Sequence, residues 1–170
     1  SLELSNPRVV LSTINVHTRY SYDEVDDLLE HEDKYLSLVY NIACAREAQR
    51  MVQGGFKIHR KEIYINQQED GSLVLKDVSD SSPARNTIGE MMIYANEVMG
   101  AFARDNEIPF LFRSQPPREE GTPGNVDHIP EGPARDFAER QGLKPSSVSL
   151  EAAPHSTLGL PVYTQTTSPI

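Results

Sequence analysis

Cysteine is almost missing: Cys44 is the only one in 170 residues. An internal disulfide is thereby excluded, and so is a cysteine-rich zinc site. Flanked by Ile42, Ala43 and Ala45, Cys44 reads as a small core side chain rather than a nucleophile. A nearly thiol-free chain fits a reducing compartment such as the cytosol, so a cytoplasmic location is expected. Long apolar runs are missing too. Nothing approaches about 18 consecutive apolar residues, so no membrane span is expected, and residues 1–7 lack the basic start and apolar run of a signal peptide. Positive charge is scarce: 16 Lys and Arg stand against 25 Asp and Glu, for a net charge of −9. A free-standing nucleic-acid binder needs a basic face against phosphates, so any such role must rest on local groups, metal ions or neighbouring domains. No phosphate-cradling glycine loop is present, because Gly54-Gly55 lacks a following GK[ST]. The histidines (His17, His31, His59, His128 and His155) have no helical ligand spacing, which favours structural or surface roles.

Against these absences stands a clear alternation of helix and strand signals. The stretch RVVLSTINV (residues 8–16) is rich in β-branched residues and reads as a strand. Ser21 and Glu24 then form a capping-box pattern, with Val25, Leu28 and Leu29 on one face of the helix it opens. A second helix is predicted over about 33–51, with Leu36, Val39, Tyr40, Ala43 and Ala48 along one stripe and Gly54-Gly55 ending it. A hairpin follows. Ile63 and Ile65 alternate with polar residues, Asp70-Gly71 turns the chain, and Leu73 and Leu75 alternate on the return.

The third and strongest helix is predicted over 83–105, with Ser82 as N-cap and Pro83 as first residue. Its core stripe is expected at Ile88, Met91, Met92, Ala95, Val98, Met99 and Phe102. EIPFLFR (residues 107–113) reads as a short buried strand. Residues 117–154 form a Pro- and Gly-rich loop region with one short helix near 134–141. Helices alternating with strands give a mixed α/β (α+β) class.

Asp23, Asp26 and Asp27 crowd the first helix start, where negative charge suits the positive end of the helix dipole; as a metal site their alignment is poor. Tyr22, beside them, is open from sequence alone to ring packing or to a functional role.

Three segments together carry a resemblance. YSYDEVDDLLE (residues 20–30), ARNTIGEMMIYANEVMGAFARDNEIPFLFRSQPP (residues 84–117) and HSTLGLPVYTQTTSPI (residues 155–170) resemble, in order, the tyrosine-bearing helix start, the long helix with its following strand, and the tail signature of the ribonuclease II/ribonuclease R family. With the connecting residues they cover about two-thirds of the chain. The resemblance implies part of an RNB-type catalytic domain spanning 1–170, with long helices packed on a mixed sheet. It places Tyr22 on the family's active-site tyrosine. Glu90 and Asn96 fall in the helix lining the RNA channel, and Arg113 on the strand arginine. Phe56 or Ile58 falls near the base-stacking phenylalanine, while Tyr163, Thr167 and Ser168 belong to the signature before the catalytic arginine.

The implied activity is processive 3′→5′ hydrolysis of single-stranded RNA by a two-metal scheme using Mg²⁺, with flanking RNA-binding barrels of the same parent as partners. The alternative is a catalytically dead RNB-like RNA-binding module. The family's metal-binding aspartates have no match before Tyr20, and its catalytic arginine follows the position of Ile170. The metal ligands are therefore expected outside this chain, and the chain alone is expected to be inactive. Ser156 and Thr157 replace the family's Phe and Gly, Gln115 replaces a histidine, and the gap from Pro117 to His155 is shorter than in the family.

Overall fold

A computed structural model describes residues 6–57, 63–77, 82–119, 126, 128–130 and 132–165. The elements run α1 (Tyr22–Glu30), α2 (Lys34–Val52), β1 (Ile63–Gln67), β2 (Leu73–Asp77), α3 (Pro83–Asp105), β3 (Phe112–Ser114), α4 (Pro133–Arg140) and β4 (Ser147–Ser149), then a 3₁₀ turn, Ser156–Leu158. Mixed α/β is the class the chain adopts. The strands make two antiparallel pairs, β1–β2 and β3–β4. The long helices pack on one another, α2 against α3 with α1 touching both, rather than on a mixed sheet. Among the described residues, no helix is long and apolar enough to cross a membrane.

Local chemistry sets the helix boundaries. Ser21 Oγ accepts from the Glu24 amide while the Glu24 carboxylate accepts from the Ser21 amide, so two free N–H groups of the first turn are satisfied. Asp33 caps α2 through the amides of Tyr35 and Leu36. Ser82 caps α3 through the Arg85 amide, and Asp26 reaches across from α1 to accept from the Ala84 amide at 2.7 Å and the Ser82 hydroxyl at 2.6 Å. The expected hairpin is present with Ile65 opposite Leu75.

Four expectations need correction. Residues 8–16 form no regular element and pair with nothing among the described residues, and their side chains are exposed. The α3 stripe is turned: Ile88, Met92 and Ala95 are exposed, and the buried positions are Ala84, Thr87, Glu90, Gly100 and Ala103. On α2 likewise, Val39 and Ala48 are exposed, while Ala43, Arg46 and Arg50 are buried. Periodicity finds a helix's apolar side, but what lies opposite decides which side is covered. Here two arginines of α2 face two glutamates of α3, so the helix interface is ionic. The strand expected over 107–113 is also shorter, starting only at Phe112.

The apolar core joins Ala103, Phe112 and Val162. Gly100 brings α3 close to the tail: a Cβ there would stand 3.3 Å from Val162 Cγ2.

Candidate functional site

The end of α2, the middle of α3, β3 and the tail converge at one junction. Arg50 Nε donates to Glu90 Oε2 at 3.0 Å, and a second guanidinium nitrogen donates to Glu90 Oε1. Arg50 Nη1 donates to the Leu158 carbonyl at 2.8 Å. Both side chains are buried, so the charges are balanced in place rather than by water. The chain then leaves α2 along the tail. The Gly55 amide donates to the Arg50 carbonyl, and the Phe56 amide to the Thr157 carbonyl, each at 2.8 Å. Gly159 has φ +66°, and a Cβ there would overlap the Arg50 carbonyl and stand 2.7 Å from the Gly55 nitrogen. Only glycine allows this contact. A second ionic contact, Arg46 to Glu97, lies further along the helices, with the Arg46 guanidinium 4.3 Å from the Tyr94 ring centroid. Burial holds the Glu97 carboxyl above its usual range, against the opposing charge of Arg46.

Tyr163 organises the tail's far side. Its carbonyl accepts from the Arg113 amide at 2.9 Å, and its hydroxyl accepts from Asn96 Nδ2 at 3.5 Å. Its ring meets His155 edge to face with centroids 5.6 Å apart. The Arg113 side chain donates to Ser146 Oγ at 3.0 Å and to Gln165 Oε1. Thr164, fully buried, donates to the Leu111 carbonyl at 2.6 Å. Burial first, and then the nearby Arg113 charge, push the His155 pKa down to about 4, so the ring is neutral near pH 7.

Of the residues singled out in the sequence, Phe56 and Glu90 lie on the Arg50 side of this junction and Asn96, Arg113 and Tyr163 on the other, with the His155–Tyr163 ring contact between them. Tyr22 lies on neither side. It opens α1 at the far end of α3, is 40% exposed, and carries the Arg85 guanidinium 4.3 Å from its ring centroid. From Arg85 to Glu90 is about 7.5 Å of helix axis. Phe56 is half-buried, with the Arg118 guanidinium 5.2 Å from its ring centroid. Ile58, His59, Thr167 and Ser168 lie outside the described residues.

Among the described residues, no three His, Cys, Asp or Glu side chains gather to hold a metal. Both oxygens of Asp26 are committed to capping α3. The described residues thus do not fit a Mg²⁺ site, and no step through a metal is derived for them.

Arg46 and Arg50 were not singled out in the sequence, and Asp26 was read there as negative charge at the start of α1 rather than as a cap on α3. A signal existed for the arginines: Ala43, Arg46 and Arg50 recur at helical core spacing, and Glu90 and Glu97 lie two turns apart on the next long helix. For Asp26 there was none, because its partners stand 56 and 58 residues away.

Residues 1–170 match the family model described as the RNB domain. An uncharacterised ribonuclease of Synechocystis sp. is 35% identical over 157 residues, which is 89% of this chain and 23% of that protein. The chloroplastic/mitochondrial ribonuclease II of Arabidopsis thaliana is 29% identical over 163 residues, covering 88% of this chain and 20% of that protein. The chain thus spans about a quarter or less of these relatives' lengths. Among solved structures, RNase R of Mycoplasma genitalium in complex with ribose-methylated single-stranded RNA superposes with a TM-score of 0.66 at 18% identity, covering 86% of this chain and 29% of that one. An exoribonuclease of Candida glabrata gives 0.67 at 19% identity, covering 86% and 21%. At such identities the superpositions speak for the fold.

Proposed function

The chain belongs to the RNB domain family, that of ribonuclease II and ribonuclease R, and from this premise we propose that it is part of an exoribonuclease that degrades single-stranded RNA processively from the 3′ end. The observation that carries the proposal is the junction itself. Phe56, Glu90, Asn96, Arg113 and Tyr163 come from four segments of the sequence, and two hydrogen-bonded groups that meet at the His155–Tyr163 ring contact gather them. In this reading the junction is one wall of the RNA path. The Phe56 ring, backed by the Arg118 guanidinium, offers a face on which a base stacks whatever its identity. Asn96, Arg113 and Tyr163 shape the wall behind it. Glu90 acts through Arg50, which fixes the tail turn at Leu158. Thr167 and Ser168 belong to the proposal as RNA contacts by family resemblance.

Tyr22 stands apart as the proposed catalytic group, held where it can donate to a phosphate. Mg²⁺ enters the proposal as an ion of the intact parent, held by residues other than those described. Flanking RNA-binding barrels of the parent supply the basic surface that a chain of net charge −9 lacks.

The test is degradation of a 5′-labelled single-stranded RNA by the intact parent. The expected outcome is a short labelled end product appearing while uncut substrate remains, with few intermediates. RNA that is bound but left whole would identify a catalytically dead binding module, and internal cuts would refute the exonuclease reading.

A further inference from the structure

Residues 8–16 carry strong strand chemistry with no strand partner. Val9, Val10, Leu11, Ile14 and Val16 stand exposed, Leu11 fully at 105%. Among the described residues, no backbone group bonds to the backbone of this segment. An extended apolar run with open N–H and C=O groups is a template for edge-to-edge pairing, and folded proteins cover or blunt such edges. This run has no proline, and its one charged residue, Arg8, stands at the end.

A second element points the same way: Ile88 and Met92 on α3 are apolar and stand 47% and 43% exposed.

We propose that residues 8–16 are a β-strand of the intact protein, paired with a strand of the same polypeptide that lies outside these 170 residues. A second copy of the chain is the other conceivable partner. The parent is favoured because the matched span is a minor part of each relative, 23% and 20% of their lengths. A strand supplied in the same polypeptide also meets this edge at high effective concentration. The pairing would fix the entry to α1 as well, since residues 17–21 lead from the strand straight to Tyr22.

Backbone amide hydrogen exchange on the parent protein and on the 170-residue chain tests this. Amides of residues 9–16 are expected to exchange almost freely in the chain and at least about 100-fold more slowly in the parent. Proline scanning gives a second measurement. Ser12 and Thr13 send their N–H groups to opposite edges of a strand. Ser12→Pro or Thr13→Pro, or both, should therefore lower the melting temperature of the parent, and neither should matter in the chain alone. Free exchange of these amides in the parent overturns the proposal, as does silence of both prolines there. Protection in the isolated chain that grows with concentration also overturns it, in favour of pairing between copies.

Discussion

Tyr22 sits where its direction is fixed twice, by the reciprocal Ser21–Glu24 bonds around its backbone and by Arg85 over its ring. A hydroxyl aimed this way can donate to a phosphate oxygen as charge develops, a bond that is strongest in the transition state. In the intact parent, Tyr22→Phe is expected to slow single-turnover cleavage by on the order of 10²-fold or more while RNA affinity barely changes. A rate within about twofold of wild type would make Tyr22 a packing residue, since loss of a transition-state donor costs far more than that. Tyr22→Ala would then act on stability instead.

His155 gives a second prediction, through pH. Its folded pKa of about 4 lies below the ordinary 6.5, so between these values the unfolded chain takes up a proton that the folded one refuses. Its contribution to stability is complete above pH 6.5 and falls as pH drops toward 4. Melting temperatures taken between pH 7 and 4.5 should therefore decline less steeply in His155→Gln than in wild type. Equal slopes would mean that carboxylates, Glu47 among them, carry the acid sensitivity. Burial works to raise the Glu47 pKa, but hydrogen bonds from Lys57 and Asn86 outweigh it and leave it below its usual value.

Helix α3 shows how much of an element can be read locally. Its first and last residues are those the sequence predicted, because Ser82, Pro83 and the run of good helix formers act within a few residues of where they stand. Its buried face was not legible. That face is chosen by Arg46 and Arg50 of another helix and by a tail 60 residues further on. Residues 8–16 show the same limit, since β-branched residues favour extension but cannot supply a partner. Strand β4, three residues within a polar loop region, has no periodicity to detect and exists through its pairing with β3.

Asp26→Ala removes a cap supplied from α1 and should cost about 0.5–2 kcal/mol, while Asp27→Ala stays within about 0.5 kcal/mol. Chemical denaturation separates them, and equal losses would reduce Asp26 to a general charge effect. Arg50→Met strands a buried Glu90 and should cost about 3–5 kcal/mol, most of it recovered when Glu90→Leu is added. A double variant as unstable as the single one would show that the Leu158 contact, not the ion pair, is what Arg50 supplies.

For the chain as a whole, the residues of the junction were legible through motifs and the path between them was not. Glu90, Asn96, Arg113 and Tyr163 were singled out by family resemblance, whereas the buried arginine that links two of the segments sits in no quoted motif. An RNA assay of the 170-residue chain with Mg²⁺ or Mn²⁺ is expected to leave a labelled single strand intact, since the chain spans 23% and 20% of its curated relatives. Metal-dependent shortening that persists through further purification would return attention to Asp23 and Asp27.

The bond from Arg50 to Leu158 spans 108 residues, and this gives the junction a history as well as a geometry. At a synthesis rate of about 5–20 residues per second, Leu158 emerges roughly 5–20 s after Arg50. Helices form and pair in far less time than that. On a nascent chain, then, Arg50 and Glu90 meet while the third member of their network is still unmade. The face that the Arg50 carbonyl and Gly55 present to Gly159 stays uncovered until the tail arrives.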